Sequence, residues 1–308
     1  MLKVGLILYS VRDMMAEDPM GTIEAVAKLG YKNIEVCNHN AAEDNGCGFG
    51  LEAADMKAKF DEYGSKVISA HIDPFEKADL PKVIEYEQVL GNKNIVYPMG
   101  NFADYDDLMQ HIELFNKAGK TLAENGMRLL YHNHFHEFRT YKGKRVLDYI
   151  AENTDPDYVG LELDTFWTMR AGEDPIGILK HFGSRIKLVH QKDFAIDAMI
   201  PINLNGIVPE DYEQKEGEPL ADFFAGLMKA VPAGAGSREA AMRITSSAFT
   251  EIGKGIMPIQ KIIDTAAEYT DAEYIILEQD YTRMPTQIDS VACSMESFRQ
   301  FNNISWEN

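Results

Sequence analysis

Eight short apolar segments alternate with helical segments along the chain, and this alternation constrains the fold more than any other feature. The first apolar segment covers residues 4–9 and the last covers residues 274–278. The helical segment that follows the first apolar segment begins with Asp18 as a cap and Pro19 in its first turn. Strands that alternate with helices are typical of a parallel sheet. Eight repeats favour a closed (β/α)8 barrel over an open sheet.

We therefore predict one α/β domain, a (β/α)8 TIM barrel over residues 1–308. No G-x-G-x-x-G loop follows the first strand, which argues against a dinucleotide-binding domain. The connection between strands seven and eight takes about 80 residues, where roughly thirty would suffice. We predict an insertion at residues 194–255 on the active-site face, as a lid or a partner surface. A surface excursion without function remains the alternative.

Charge and cysteine content exclude several classes of protein. The formal net charge of −19 argues against binding to nucleic acid and against docking on an anionic membrane. The three cysteines show no C-x-x-C spacing and indicate reduced thiols. No apolar run is long enough to span a bilayer. We expect a cytoplasmic protein that contacts neither membrane nor nucleic acid.

Ionisable side chains stand at the carboxyl ends of six of the eight predicted strands, where barrel enzymes place their catalytic groups. They are Glu35, His71, the cluster His132, His134 and Glu137, and then Asp164, His190 and Glu278. Such a mixed set of carboxylates and imidazoles suits Mn²⁺, Mg²⁺, Co²⁺, Fe²⁺ or Zn²⁺. The lack of thiol ligands argues against a closed structural zinc site.

Residue spacing indicates which of these side chains share a face. Glu162 and Asp164 are two apart on strand six, and His132 and His134 are two apart on strand five. Glu137 lies just beyond strand five, so spacing does not determine its direction.

These motifs, in this order, resemble the xylose-isomerase-like TIM-barrel superfamily of sugar-phosphate isomerases and epimerases over nearly the whole chain. The segments that carry the resemblance are GYKNIE at 30–35, AH at 70–71, YHNHFHEF at 131–138, LDT at 163–165, VHQKD at 189–193 and LE at 277–278. The resemblance implies a metal site, with Mn²⁺ as the expected ion. Its implied ligands are Glu137, Asp164, His190 and Glu278, with His132 or His134 as the substitute for Glu137.

Two departures argue against a free-ketose 3-epimerase. Trp167 stands where those enzymes have a substrate-binding histidine, and the arginine that follows their strand-seven histidine by a few residues is missing, with Lys192 as the nearest cation. These variants, with the long insertion, resemble a branch that acts on oxidised glycosides. That branch includes the catalytic α subunit of C-glycoside deglycosidases, which works with a small β subunit.

The resemblance implies a lyase that enolises a keto-sugar and eliminates the aglycone of a 3-oxo-glycoside. It assigns catalytic roles to His134 as general base, to Glu137, and to Lys192 as a positive charge beside the enolate. Substrate contacts are assigned to Glu35, His71, His132 and Trp167. His134 as a ring that orients a ligand, and Trp167 as a core residue, remain alternatives.

Three other functions stay open. The first is a metal-dependent sugar or sugar-phosphate isomerase or epimerase. The second is an endonuclease of the same superfamily, which the negative net charge disfavours. The third is a catalytically inactive sugar-binding barrel. The expected partners are a sugar or glycoside, a small β subunit and further copies in an oligomer.

Overall fold

The computed structural model describes residues 1–100, 102–196 and 248–306, and eight parallel strands in these ranges form a closed barrel. The strands are β1 (Leu2–Ile7), β2 (Asn33–Asn38), β3 (Lys66–Ile72), β4 (Asn94–Tyr97), β5 (Arg128–His132), β6 (Val159–Asp164), β7 (Ile186–Gln191) and β8 (Tyr274–Leu277). Each strand pairs with the next along the chain, and β8 also pairs with β1, with Val4 opposite Ile275. The predicted (β/α)8 barrel is thereby confirmed.

Helices of at least eight residues follow the strands around the outside of the barrel. They are α1 (Pro19–Leu29), α2 (Ala53–Glu62), α3 (Leu80–Leu90), α4 (Tyr105–Glu124), α5 (Val146–Asn153), α6 (Pro175–Phe182), α7 (Ile259–Tyr269) and α8 (Gln287–Phe298). The Asp18 side chain caps α1 by accepting from the backbone N–H of Gly21 at 3.0 Å. Gly30 ends α1 at a φ of 110°, a conformation that favours glycine.

The packing of α4 on the barrel depends on a glycine. A Cβ atom on Gly119 would lie 2.9 Å from Val159 Cγ2 and 3.2 Å from the carbonyl oxygen of Tyr158. Val159 begins β6 and Tyr158 directly precedes it, so the helix backbone approaches this strand more closely than a larger residue would allow.

The end of β5 differs from the sequence-based prediction, which extended strand five to His134. The strand ends at His132, and a short 3-10 helix follows at His136–Phe138. The reason is a local hydrogen bond: the backbone N–H of His134 donates to Glu137 Oε2 at 2.8 Å instead of entering a strand ladder. The strand alternation that would place His132 and His134 on one face therefore stops before His134.

The predicted insertion at 194–255 is described only at its two ends, because residues 197–247 lie outside the described residues. At these ends, Asp193–Phe194 pairs antiparallel with Phe249–Thr250. The Asp193 carboxylate also accepts from the backbone N–H groups of Gly253 at 2.9 Å and Gly255 at 3.0 Å. Among the helices in the described ranges, none is both long and apolar enough to cross a membrane.

Candidate metal centre

Four buried side chains meet at the carboxyl ends of β5 to β8, and we call them the outer group. They are His132, Asp164, His190 and Glu278, whose candidate ligand atoms all lie within 4.8 Å of one another. His132 and Asp164 are the last residues of their strands, and Glu278 directly follows β8. The barrel therefore brings together groups that are up to 146 residues apart in sequence, from 132 to 278.

Three more buried side chains lie next to the outer group, and we call them the inner residues: Glu35, His71 and Glu162. Glu162 stands two positions before Asp164, on the same side of β6 but deeper in the barrel. His71 Nε2 lies 2.7 Å from Glu162 Oε2. Together with His132 and His190, His71 and Glu162 form a second set of side chains that could hold a cation.

Lys192 supplies a positive charge to this acidic centre. Its Nζ donates to Asp164 Oδ2 at 2.7 Å and also to Glu278, and it lies 3.8 Å from Asp280 Oδ2. Burial lowers the pKa of Lys192, but Asp164, Asp280 and Glu278 outweigh it and raise that pKa above its ordinary value. Lys192 is therefore an ammonium that is held by several carboxylates.

Carboxyl groups outnumber this one ammonium. The acidic members of the centre are Glu35, Glu162, Asp164, Glu278 and Asp280. The pKa of Asp280 is raised to about 8, chiefly by burial; Lys192 opposes the rise, and Glu278 and Asp164 add to it. Burying several carboxylates together is costly unless cations compensate them.

The donor set fits a divalent metal. Two imidazoles and two carboxylates are ligands that Zn²⁺, Mn²⁺, Fe²⁺ and Co²⁺ accept. Within the described ranges, Oε1 of Glu35 and Oε1 of Glu162 are buried and have no hydrogen-bond partner. Unsatisfied oxygens beside clustered imidazoles are consistent with a centre that is completed by a cation. Either set could hold it, and the outer group is the one that contains Asp164, His190 and Glu278, three of the ligands that the resemblance implies.

Glu137 belongs to neither set of candidate ligands, in contrast to its sequence-based assignment as a metal ligand. Its Oε1 accepts from the Tyr131 hydroxyl at 2.8 Å and lies 3.2 Å from His136 Nε2, and its Oε2 accepts from the His134 backbone. Both oxygens are thus engaged in the loop after β5. His132, the substitute ligand, occupies the β5 position of the outer group instead. The catalytic role assigned to Glu137 stays a prediction.

Three predicted substrate contacts, Glu35, His71 and His132, are buried and contact other side chains of the cluster, and a substrate role for them stays a prediction. Glu35 Oε2 lies 2.6 Å from His190 Nε2, and His71 and His132 both contact Glu162 Oε2. Sequence reasoning did not assign Glu162 to the site. Its signal was the spacing of two from Asp164, which places both carboxylates on one face of β6.

His134 and Trp167 form a stacked pair beside the outer group, with ring centroids 5.3 Å apart. Among the described residues, neither His134 Nδ1 nor Trp167 Nε1 has a hydrogen-bond partner, although both atoms are buried. Burial lowers the pKa of His134 well below its ordinary value, and nearby His132, His136 and Lys192 lower it further. A neutral imidazole and an indole N–H are therefore available to a ligand.

A cavity of about 390 Å³ opens at the ends of β1 and β8, next to this centre. Arg12 and Asp280 line it, and the Arg12 guanidinium donates to the Asp280 carbonyl oxygen at 2.7 Å. Its volume lies within the range of small-molecule sites. A ligand in this cavity would lie beside Asp280, which adjoins Lys192.

Comparison with known proteins places this geometry in context. A family model described as "Xylose isomerase-like TIM barrel" matches residues 23–300. An inosose dehydratase of Mesomycoplasma hyopneumoniae (strain 7448) is 27% identical over 196 residues, which cover 56% of this chain and 61% of the relative. The match thus spans less than two thirds of the length of this curated relative.

Solved structures share the fold over almost the full chain. A sugar phosphate isomerase/epimerase from Parabacteroides distasonis has a TM-score of 0.70 at 22% identity, and covers 99% of this chain and 96% of its own. A structure described as IOLI protein with a binding zinc atom has a TM-score of 0.62 at 12% identity, with 96% of each chain covered. At these identities the likeness concerns the fold alone.

Proposed function

The chain belongs to the xylose isomerase-like TIM barrel family, and from this premise we propose that it is a divalent-metal-dependent enzyme that enolises a keto-sugar or a keto-polyol. The observation that carries the proposal is the outer group, which lies beside a neutral His134 and a charged Lys192 at the mouth of the barrel. We further propose that the reaction is a lyase reaction, in which the aglycone of a 3-oxo-glycoside leaves.

Different side chains of the site have different roles in the proposed reaction. A divalent cation held by His132, Asp164, His190 and Glu278 would supply Lewis-acid chemistry next to a carbonyl. His134 accepts the α-proton at Nδ1, which is buried and unpaired among the described residues, and becomes an imidazolium. Lys192 places its ammonium beside the negative charge that develops on oxygen.

The elimination balances without an oxidant or a reductant. The electron pair of the broken C–H bond becomes the new carbon–carbon double bond. The β-substituent leaves with its own bonding pair and takes up a proton, which the His134 imidazolium can return. In an isomerisation the same proton would return to a neighbouring carbon of the substrate, and no bond to a leaving group would break.

The curated relatives favour elimination as the outcome. They are named inosose dehydratases, and a dehydratase eliminates water. Loss of water from a keto-inositol is therefore a second candidate reaction, in which hydroxide takes the place of the aglycone as the leaving group. Both reactions need the same α-proton abstraction, so the metal and His134 would have the same roles in each.

The test is proton exchange and product analysis on the full chain loaded with Mn²⁺ or Zn²⁺. A 3-oxo-C-glucoside, an inosose and a ketose are incubated separately in D2O, and NMR follows the α-hydrogen and the products. We expect α-hydrogen exchange with aglycone release from the first substrate. Asp164→Asn and His134→Gln should each lower the exchange rate at least ~100-fold.

His181→Gln is the matched control, because His181 is half-exposed and pairs with Asp148 on the outside of the barrel. It should leave exchange unchanged. Water loss from the inosose alone would identify the second candidate, and turnover of the ketose alone would identify an isomerase. Absence of α-hydrogen exchange from every substrate would overturn the proposed enolisation and favour a binding protein.

A further inference from the structure

Each of the two histidines in the outer group presents its two ring nitrogens to different carboxylates. His190 Nδ1 lies 2.9 Å from Glu278 Oε2, and its Nε2 lies 2.6 Å from Glu35 Oε2. His132 Nδ1 lies 3.0 Å from Glu162 Oε2, while its Nε2 lies 4.0 Å from Asp164 Oδ2. One nitrogen of each ring therefore points to an inner carboxylate and the other points to the outer group.

This arrangement matters because a neutral imidazole carries a single proton. The nitrogen that donates the proton to a carboxylate has no lone pair left for a metal, and the opposite nitrogen has one. An inner carboxylate that holds the N–H of His190 or His132 would therefore leave the lone pair of that ring directed at the outer group. The carboxylate that binds one ring nitrogen therefore determines whether the other nitrogen carries a lone pair for the metal.

His71 contacts both inner carboxylates and so connects them. Its Nε2 lies 2.7 Å from Glu162 Oε2 and 3.5 Å from Glu35 Oε1. Its ring stacks on that of His190, with centroids 5.4 Å apart and planes 13° apart. All three inner residues are buried. Because the inner residues are buried and contact one another, they restrict the rotation of the histidine rings that they touch.

We propose that Glu35 and Glu162 are positioning residues that orient His190 and His132, so that the outer group receives the cation. Glu35 holds Nε2–H of His190, and Glu162 holds Nδ1–H of His132. His190 Nδ1 and His132 Nε2 are then the lone-pair donors. The proposal deepens the proposed function and rests on its metal dependence.

The proposal predicts weaker binding, rather than loss of the ion, when an inner carboxylate is removed. Loss of a carboxylate that orients a metal-bound histidine typically lowers metal affinity 10–100-fold. Glu35→Gln and Glu162→Gln should each fall in about this range and still bind one ion per chain. Asp164→Asn removes a ligand and should cause a larger loss.

The experiment uses the full chain labelled with 15N-histidine and titrated with Zn²⁺ against a competing chelator. Affinity and stoichiometry come from the titration, and the protonated nitrogen of each ring comes from long-range 15N–1H NMR spectra. In the wild type we expect zinc on Nδ1 of His190 and on Nε2 of His132. Glu35→Gln should alter the His190 signals, and Glu162→Gln should alter those of His132.

Glu87→Gln is the matched control, because Glu87 is also fully buried but lies on α3, outside both groups. It should leave zinc affinity and all histidine signals unchanged. Circular dichroism checks that each variant folds. If one variant does not fold, the other still decides: Glu35→Gln is read at His190, and Glu162→Gln is read at His132, because Glu162 Oε1 also lies 3.4 Å from His190 Nε2.

Unchanged affinity and unchanged ring signals in the folded variants would overturn the assignment. So would loss of zinc in Glu162→Gln with retention in Asp164→Asn, or two zinc ions per wild-type chain, because both results would place a cation among the inner residues. Failure of the proposed function looks different: zinc binds with the expected ring nitrogens, yet no substrate exchanges its α-hydrogen.

Discussion

Lys192 Nζ lies 2.7 Å from Asp164 Oδ2, and both side chains are withdrawn from solvent, at 1% and 0% exposure. The same ammonium donates to Glu278. Lys192 therefore binds the two acidic members of the outer group. A divalent cation placed there has to share these carboxylates with Lys192 or displace it.

Lys192→Met should destabilise the metal-free protein by about 3–5 kcal/mol, because it leaves buried carboxylates without their partner. Saturating Zn²⁺ should recover most of that loss, since the ion replaces the missing charge. Thermal denaturation with and without Zn²⁺ measures both effects. Lys187→Met removes a partly exposed ion pair with Asp271 and serves as control, with a change of at most about 1 kcal/mol. A metal-free variant as stable as the wild type would contradict this account.

Trp167→Phe should weaken substrate binding by about tenfold, which is roughly the value of one hydrogen bond from the indole N–H. Phenylalanine keeps an aromatic ring to stack on His134, so the fold should tolerate the change. The measurement is KM with the substrate that the exchange experiment identifies. Trp306→Phe is the control, because Trp306 is half-exposed at the far end of the chain. Equal KM values for the two variants would argue that Trp167 only fills space.

Glu87→Gln should remove a pH dependence of stability. Burial raises the pKa of Glu87 to about 8, although a hydrogen bond from Asn92 opposes it. Between the unfolded pKa of about 4.3 and this value, the folded protein binds a proton that the unfolded chain has lost. The contribution of Glu87 to the free energy of unfolding therefore falls by up to about 1.4 kcal/mol per pH unit across that window.

Denaturant unfolding at pH 5, 6.5 and 8 checks this prediction. The difference between Glu87→Gln and wild type should shift in favour of the variant as the pH rises. Glu85→Gln, on the exposed side of the same helix, should show no such trend. A constant difference across the three pH values would mean that Glu87 stays ionised in the folded protein.

The strand–helix alternation could be predicted because parallel strands buried on both faces leave continuous apolar runs in the sequence. The position of the site followed from the same reasoning, since the polar residues after these runs collect at one end of a barrel. Asp164, His190 and Glu278 were assigned together on the resemblance, and the structure brings them together.

The loop after β5 could not be predicted in the same way. The direction of Glu137 depends on hydrogen bonds from Tyr131 and from the His134 backbone, and nothing in the spacing of residues encodes them. Glu162 and Asp164 were recognised as sharing a face. Which of these two carboxylates joins the outer group depends on how deep each lies in the barrel. Only the strand register gives that depth.

Gly119→Ala should lower stability by about 1–3 kcal/mol, although alanine is the better helix former. The added methyl group would meet Val159 and the Tyr158 carbonyl, and the backbone atom cannot move aside cheaply. Gly177→Ala is the control in α6, because its Cβ would have no neighbour nearer than 3.4 Å. The denaturant midpoint of Gly119→Ala should fall, while that of Gly177→Ala should rise or stay unchanged. A stabilised Gly119→Ala would show that α4 can shift away from β6.

The closure of β8 on β1 governs when the outer group can form. Glu278 directly follows β8, so the outer group stays incomplete until β8 has joined the rest of the barrel. Lys192 donates to both Asp164 and Glu278, so it compensates their charges while the barrel closes. We expect a divalent cation to bind at the outer group only after that step.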